Sequence, residues 1–592
     1  MSLNKELGKK RKLSLKMMPI LGLLFPLSAL SAPNEPNLNQ IDAQQQQRQQ
    51  QQNAVRDAQL QSRPDVRLNI AQESKEKLPS DEKPCFDIYK ISLLDYSADN
   101  QYQPSQFQLE LTKTAQSLDL TLPRCIGAKG INALVSQVQN RIVEKGYVTT
   151  RVLVPDQNLN QGELVLMVIP GKIKNIIVSD VGNTPRFTRL HSWTGFTFDS
   201  GELLNLRDIE QSLENLKRSP TADANIEIQP SQAKDANFGD SDLLVTYAQN
   251  FPFRLTLGLD NSGSKSTGKL QGTATLSWDN LFSANDLFYG SFTHSMKRHT
   301  DDKGQRASKN WNLYYSIPLG YWDLSFSHSQ NDYHQELAGA FTNYIYSGES
   351  TTDKLTLSYL LYRDSSRKTS IYGAFWSRQS ENYIDDAEID VQRRRMAGWE
   401  AGINHREYIN RAIVNLGFNY KHGTGARGAI PAPEELWHEG TSRPVIMTAT
   451  LSYLQPFSVG EQEFRFSTEW SAQWNKTPLI MQDRFSLGGR YTVRGFDGEL
   501  TLTGERGWLT RNELSWNILG SNQWLYTGID AGRVSGRTIR EQLGNSLVGS
   551  VFGLRGGFKG FYYDVSLSKP ISKPDGFRTS NLYTAFNVGY SF

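Results

Sequence analysis

From about residue 250 to its end the chain alternates apolar and polar residues in short runs, and no other feature restricts its fold so strongly. EFRFSTEWSAQWN places Phe464, Phe466, Thr468, Trp470, Ala472 and Trp474 on one side of an extended chain. Arg465, Ser467, Glu469, Ser471 and Gln473 fall on the other, the period of a strand with one apolar and one polar face. LQGTATLSW, KLTLSYLL, VIMTATLSYL and AIVNLGFNY repeat the pattern. Sixteen such runs start near residues 253, 270, 286, 311, 322, 354, 369, 396, 412, 445, 463, 508, 524, 547, 562 and 582. The gaps are short after runs 4, 6, 10 and 12 (LGY, RDSSR, QPFSVGEQ, GSNQ), and long and polar after runs 3, 5, 7, 9 and 11. An even strand number with turns on one side and loops on the other describes a transmembrane β-barrel. Closure pairs every backbone group, which is how a sheet crosses lipid. A soluble sandwich would need a further apolar layer over the outward faces, and no segment supplies one.

Composition agrees. Eleven of the twelve Trp lie beyond residue 250, where length alone places about seven; interfacial aromatic girdles account for the excess. No run of 18 or more apolar residues exists, which excludes a helical membrane protein. The formal charge is +3, but residues 1–32 carry six basic groups and one acid. Without them 58 basic groups face 60 acids, a net −2 that gives no support to nucleic-acid binding. Eight scattered His and two Cys leave little for a transition-metal cage, so neither metal nor cofactor is expected.

Residues 1–32 are ordered as a secretory signal peptide: a basic region, the apolar run Met17–Leu30, then the small residues Ser31 and Ala32. In an exported chain the only cysteines, Cys85 and Cys125, suggest a disulfide, with two buried free thiols as the competing reading. Residues 33–61 are rich in Gln with a thin apolar stripe of Leu38, Ile41, Val55 and Leu60. Such a segment is either a helix in a polar, water-lined cavity or a disordered tail. Residues 62–83, with Pro64, Pro79 and a charged run, read as a linker. Two α+β modules follow, 84–171 and 172–249, each a strand, a helix and two strands, before the barrel at 250–592. The first takes its helix from Ile131, Leu134, Val135, Val138, Ile142 and Val143; the second from Leu203–Leu216.

EKGYVTTRVLVPDQNLNQGELVLMVIPGKI (144–173) resembles the first POTRA module of two-partner secretion transporters, the TpsB class. That class includes haemolysin activators, filamentous-adhesin exporters and contact-dependent inhibition exporters. The resemblance covers nearly the whole mature chain: lumenal helix, linker, two POTRA domains and a sixteen-stranded barrel, a mainly β protein. The Cys85/Cys125 placement fits modules of this family too. The last strand, ending on Phe592, resembles the assembly signal of bacterial outer-membrane barrels. Between runs 11 and 12, RYTVRGFDGE is similar to the family's loop motif at Val493, Arg494, Gly495 and Phe496. Gly495 lets the tip turn tightly, and Arg494 needs an acidic partner if the tip enters the lumen. In WLYTGIDAGRV, Leu525, Thr527, Ile529 and Ala531 should face lipid, which turns Tyr526, Gly528, Asp530 and Gly532 inward. GIDAG resembles the family's glycine-flanked aspartate, so Asp530 is the expected partner, with Gly528 and Gly532 leaving room for the loop.

The resemblance implies a pore of the bacterial outer membrane with its POTRA domains in the periplasm. Its cargo would be one secreted exoprotein (haemolysin, adhesin or inhibition toxin), recognised through that protein's N-terminal secretion domain. Outer-membrane lipid and the barrel-assembly machinery would be its other partners. A barrel-assembly factor and a passive solute porin are the runners-up. No catalytic constellation competes: GLRGGFKG lies on a barrel strand, and His294, His299, His328 and His334 lack ligand spacing, so an enzyme is not expected.

Overall fold

The computed structural model describes residues 38–60, 64–68, 77–96, 103–182 and 187–592; the signal segment 1–32 lies outside them. The alternating runs form sixteen antiparallel strands: β1 (Phe253–Asp260), β2 (Leu270–Asp279), β3 (Leu287–Met296), β4 (Arg306–Leu319), β5 (Trp322–Ala338), β6 (Asn343–Arg363), β7 (Arg367–Ile384) and β8 (Arg394–Ile409). They continue as β9 (Ala412–Thr424), β10 (Val445–Val459), β11 (Gln462–Asn475), β12 (Arg506–Asn517), β13 (Gln523–Ser535), β14 (Ser546–Phe558), β15 (Phe561–Ser572) and β16 (Tyr583–Ser591). A two-residue strand, Ala387–Glu388, caps β7. Each strand pairs with the next, and β1 closes on β16 through Thr256↔Ser591 to Asp260↔Asn587, so the sheet has no edge.

Two strand starts move outward from their sequence positions. β6 begins at Asn343 rather than near 354, and β4 at Arg306 rather than near 311. Apolar alternation stops where lipid stops, but backbone pairing continues beyond it, from Tyr359↔Trp322 up to Asn343↔Ala338. QPFSV, read as loop, is the end of β10; the turn is only Gly460–Glu461, with Gly460 at positive φ.

The first α+β module sets α2 (Gln108–Ser117) and α3 (Ala128–Glu144) against a mixed sheet in which Lys90–Asp95 runs parallel to Glu163–Ile169. Its core holds Ile88, Leu93, Leu134, Val138, Ile142, Leu164 and Leu166. Cys85–Ile88 pairs with Arg124–Gly127 and is bridged there by the Cys85–Cys125 disulfide. Residues 85–93 form two strands rather than one, and VTTRVLV contributes only Arg151–Leu153. The second module packs α4 (Arg189–Gly195) and α5 (Leu206–Leu216) on three strands, Ile173–Asp180, Ser241–Gln249 and Ala222–Pro230. α5 starts three residues later than Leu203, because the Asn205 side chain accepts from Arg207 N and caps the helix there. α2 and α4 have no counterpart in the sequence reading. Both are short, and α4 keeps polar residues on its buried face.

The second module is fastened to the barrel rim. Arg363 at the end of β6 donates to Glu210 (3.0 Å) and Glu214 (3.0 Å) of α5, and to the Val66 carbonyl. Val66 N and Leu68 N donate to the same two carboxylates, and Asp65 accepts from Lys368 and Tyr408. Pro64–Leu68, read as free linker, is therefore strapped between module and barrel. Both sides contribute charges, and each charge has a partner.

Candidate functional site

The barrel lumen is occupied. α1 (Leu38–Leu60) spans about 35 Å at 1.5 Å per residue and is buried along Asp42, Ala43, Gln45, Gln46, Gln47 and Gln52. Its contacts are almost all polar. Gln45 donates to Ser264 and Thr267 (3.0 Å each), Gln52 to Ser262 (2.9 Å), and Arg56 to Ser291 and Thr293. Asp57 accepts from Tyr289 (2.7 Å), and Asp42 from Tyr333 and Gln482. This explains the composition of the segment: glutamine and arginine satisfy the polar inner wall of a barrel, where an apolar helix would leave wall groups unpaired.

The loop 476–505, between β11 and β12, folds into the same lumen and reaches its wall at its tip, at its base and, through Arg490 and Asp497, at β16 and the segment before it. At the tip, Arg494 Nε and Nη2 donate to the two Asp530 carboxylate oxygens (2.7 and 2.9 Å), and its backbone N–H donates to Asp530 as well (2.9 Å). Nη1 donates to Glu513 on β12 (2.7 Å), a carboxylate that also accepts from Arg555 on β14. Asp530 is fully buried, and Arg511 stands 4.0 Å from it. Three arginines thus surround two acids. Such a bidentate, desolvated pair is strong only while every member is present.

Shape holds the tip as firmly as charge. Gly495 has φ +121°, and a Cβ there would lie 2.7 Å from the Lys569 carbonyl and 2.8 Å from Gly549 Cα. A Cβ at Gly528 would lie 3.0 Å from Arg494 Nη2, and one at Gly532 2.7 Å from Leu487 Cδ2. Val493 and Phe496 are fully buried with Leu487, Leu502, Val534, Leu547 and Phe577, and Phe496 meets Phe577 edge-on at 5.7 Å. Reading single segments missed Glu513 and Gly549. Gly549 touches the Arg494 carbonyl so closely that any side chain would overlap it. Their signal lay only in the strand pairing: Asp530 stands opposite Arg511 on β12, two residues from Glu513, and opposite Gly549 on β14.

The second attachment is at the base of the loop. Asp483 accepts from Arg378 on β7 (3.1 Å twice) and lies 3.7 Å from Lys421 on β9, whose ammonium sits over the Trp376 ring. The loop therefore bridges from β7 and β9 to β12, β13 and β14. α1 lies on this bridge: Gln47 donates to the Met481 and Arg484 carbonyls, and Arg48 to the Gly498 carbonyl. Phe592, at the end of the last strand, donates its N–H to Leu255 O (2.9 Å) and sets its exposed ring on Tyr590.

A lumen filled by a polar helix and an inserted loop, above two α+β modules at the periplasmic mouth, defines an outer-membrane transporter of the two-partner secretion class. The chain belongs to the haemolysin secretion/activation family: the profile of "Haemolysin secretion/activation protein ShlB/FhaC/HecB" matches residues 239–556. Profiles of a ShlB-type POTRA domain and a further POTRA domain match 105–171 and 172–230. It is 32% identical over 551 residues to outer membrane transporter CdiB-2 of Burkholderia pseudomallei, covering 91% of each chain. It is 26% identical over 415 residues to hemolysin transporter protein ShlB of Serratia marcescens, covering 69% of this chain and 71% of that one. The solved structure of CdiB from Acinetobacter baumannii superposes with a TM-score of 0.81 at 29% identity, over 95% of this chain and all of that one.

Proposed function

We propose that this transporter exports one large partner exoprotein, and that α1 is the plug which leaves the lumen when the partner arrives. The observation that carries the reading is the chemistry of the helix's contacts. Side-chain amides and a few charges hold it, all of which water can replace, so departure exposes little apolar surface. The cargo class that fits best is a contact-dependent inhibition exoprotein, because the relative at 32% identity and the superposed structure are both CdiB transporters. Its extended N-terminal secretion domain would add as a strand to a module edge. The strand Ile173–Asp180 pairs on one side only, with Ser241–Gln249, and shows Ile177 and Val178 to solvent on its free edge. The Arg494 tip stays with the wall as the fixed side of the conduit, and transport needs no nucleotide.

Deletion of residues 38–60 tests this. Resting conductance in planar bilayers should rise while secretion of the partner persists. Unchanged conductance would show that the helix is no plug, and a conductance rise with secretion abolished would show that it is part of the conduit.

A further inference from the structure

The one tryptophan outside the barrel is Trp193, on α4 of the second POTRA domain, and it is 69% exposed. Leu190, three residues earlier on the same face, is exposed too, and Arg189 lies beside it. The opposite face of α4 is buried and polar. Asn285 donates to the His191 carbonyl and the Thr194 hydroxyl, Gly320 N donates to the Thr194 carbonyl, and Thr188 donates to Ser283 O. The helix is therefore clamped onto the β2–β3 and β4–β5 turns with its apolar face turned away from them. In water that arrangement is inverted.

The neighbours of this face settle its environment. Outward aromatics stand opposite one another from strand to strand at the periplasmic end: Phe253, Trp278, Phe288, Tyr315 and Phe326. This is the lower girdle of the barrel. Phe282, in the β2–β3 turn and 60% exposed, lies 5.9 Å from the Tyr315 ring, which places the turn at girdle level on the lipid side. α4 hydrogen-bonds to Ser283 and Asn285 of that same turn, so Trp193 and Leu190 extend the girdle outward from the barrel wall.

We propose that the exposed face of α4, with Phe282, is a membrane-docking surface that inserts into the inner leaflet of the outer membrane. Its partner is phospholipid at the headgroup–acyl boundary: Trp193, Leu190 and Phe282 enter the acyl region, and Arg189 meets the phosphates. The domain next to the barrel is thereby held at a set tilt by rim, strap and membrane together. Incoming polypeptide then meets a fixed vestibule.

The test is a fluorescent thiol label at W193C in the full-length protein. Cys85 and Cys125 are joined as a disulfide, so the new cysteine alone reacts without reductant. Phe238, 73% exposed in a loop of the same domain that packs toward Pro170 and the first module, supplies the control as F238C. Both are reconstituted in vesicles of phosphatidylethanolamine and phosphatidylglycerol with brominated acyl chains. The label at 193 should be blue-shifted, quenched by bromolipid and shielded from iodide, whereas that at 238 should be quenched by iodide alone. If W193C fails to show the heat-modifiable folded form, F282C and L190C carry the same measurement. Equal iodide quenching at both sites, or shielding at 193 without bromolipid quenching, would overturn the proposal; the second result would assign the face to a protein partner.

Discussion

Replacing Arg494 by alanine removes two side-chain bonds to Asp530, at 2.7 and 2.9 Å, and one to Glu513 at 2.7 Å. Asp530, fully buried, then keeps only the Arg494 backbone N–H and the distant Arg511, while Glu513 keeps Arg555. Breaking a buried ion pair typically costs about 3–5 kcal/mol, and the remaining arginines put this site at the low end, about 3 kcal/mol. Asp530→Ala should cost less, about 2 kcal/mol, because Arg494 retains Glu513 and Arg511 still faces Glu469 at 3.6 Å. With both removed no charge is stranded, so the double variant should fall short of the sum by about 1–2 kcal/mol. The assay is a double-mutant cycle on urea unfolding of the heat-modifiable barrel, with partner secretion measured in parallel. All three variants should assemble, since neither residue touches lipid, and both singles should impair secretion. Additivity within about 0.5 kcal/mol would refute the coupling. Full secretion by Arg494→Ala would remove the pair from the transport mechanism.

Intact protein denatured without reductant should show no free thiol. Cys85→Ser, which opens a loop 40 residues long, should destabilise the first POTRA domain by up to roughly 4 kcal/mol and leave the barrel's heat-modifiability unchanged. Arg363→Ala leaves Glu210 with Arg207 and Glu214 with Lys368 but removes the guanidinium that joins both to the Val66 carbonyl, so hydrogen exchange in α5 should accelerate while exchange in the barrel strands does not; equal protection would show that the junction is held without Arg363. His191 is buried between Phe187 and Tyr247, and burial lowers its pKa to about 4 although Asp180 pulls the other way. A folded value below the unfolded one means that the unfolded chain takes the proton first. The second POTRA domain should therefore lose stability as pH falls from about 6.5 to about 4, by up to about 3 kcal/mol, and lose no more to this group below that. Hydrogen exchange of α4 at pH 7 and pH 5 reads this, and His191→Asn should abolish the difference.

Much of this protein follows from local pattern. A strand that separates lipid from water must alternate, so sixteen strands and their parity can be read from runs such as 463–475, and the aromatic girdle from tryptophan placement. Arg494 and Asp530 were also legible: one sits in a four-residue motif, the other at an inward position of an alternating strand. Residues 33–61 fit a solvated tail as well as a helix in a wet cavity, because a glutamine-rich segment carries no sign of what it binds. The barrel wall decided that, offering Ser264, Thr267, Ser262 and Asp57's partner Tyr289 along a polar lumen. Glu513, Gly549 and the Asp483–Arg378–Lys421 attachment depend on register between strands tens to a hundred residues apart, which no local pattern encodes. The same holds for the strap at Pro64–Leu68 and for Trp193, whose exposure has meaning only once α4 is docked beside the girdle. Local sequence determined which face of each element prefers water or lipid; closing the barrel and docking the modules determined which of those faces meet.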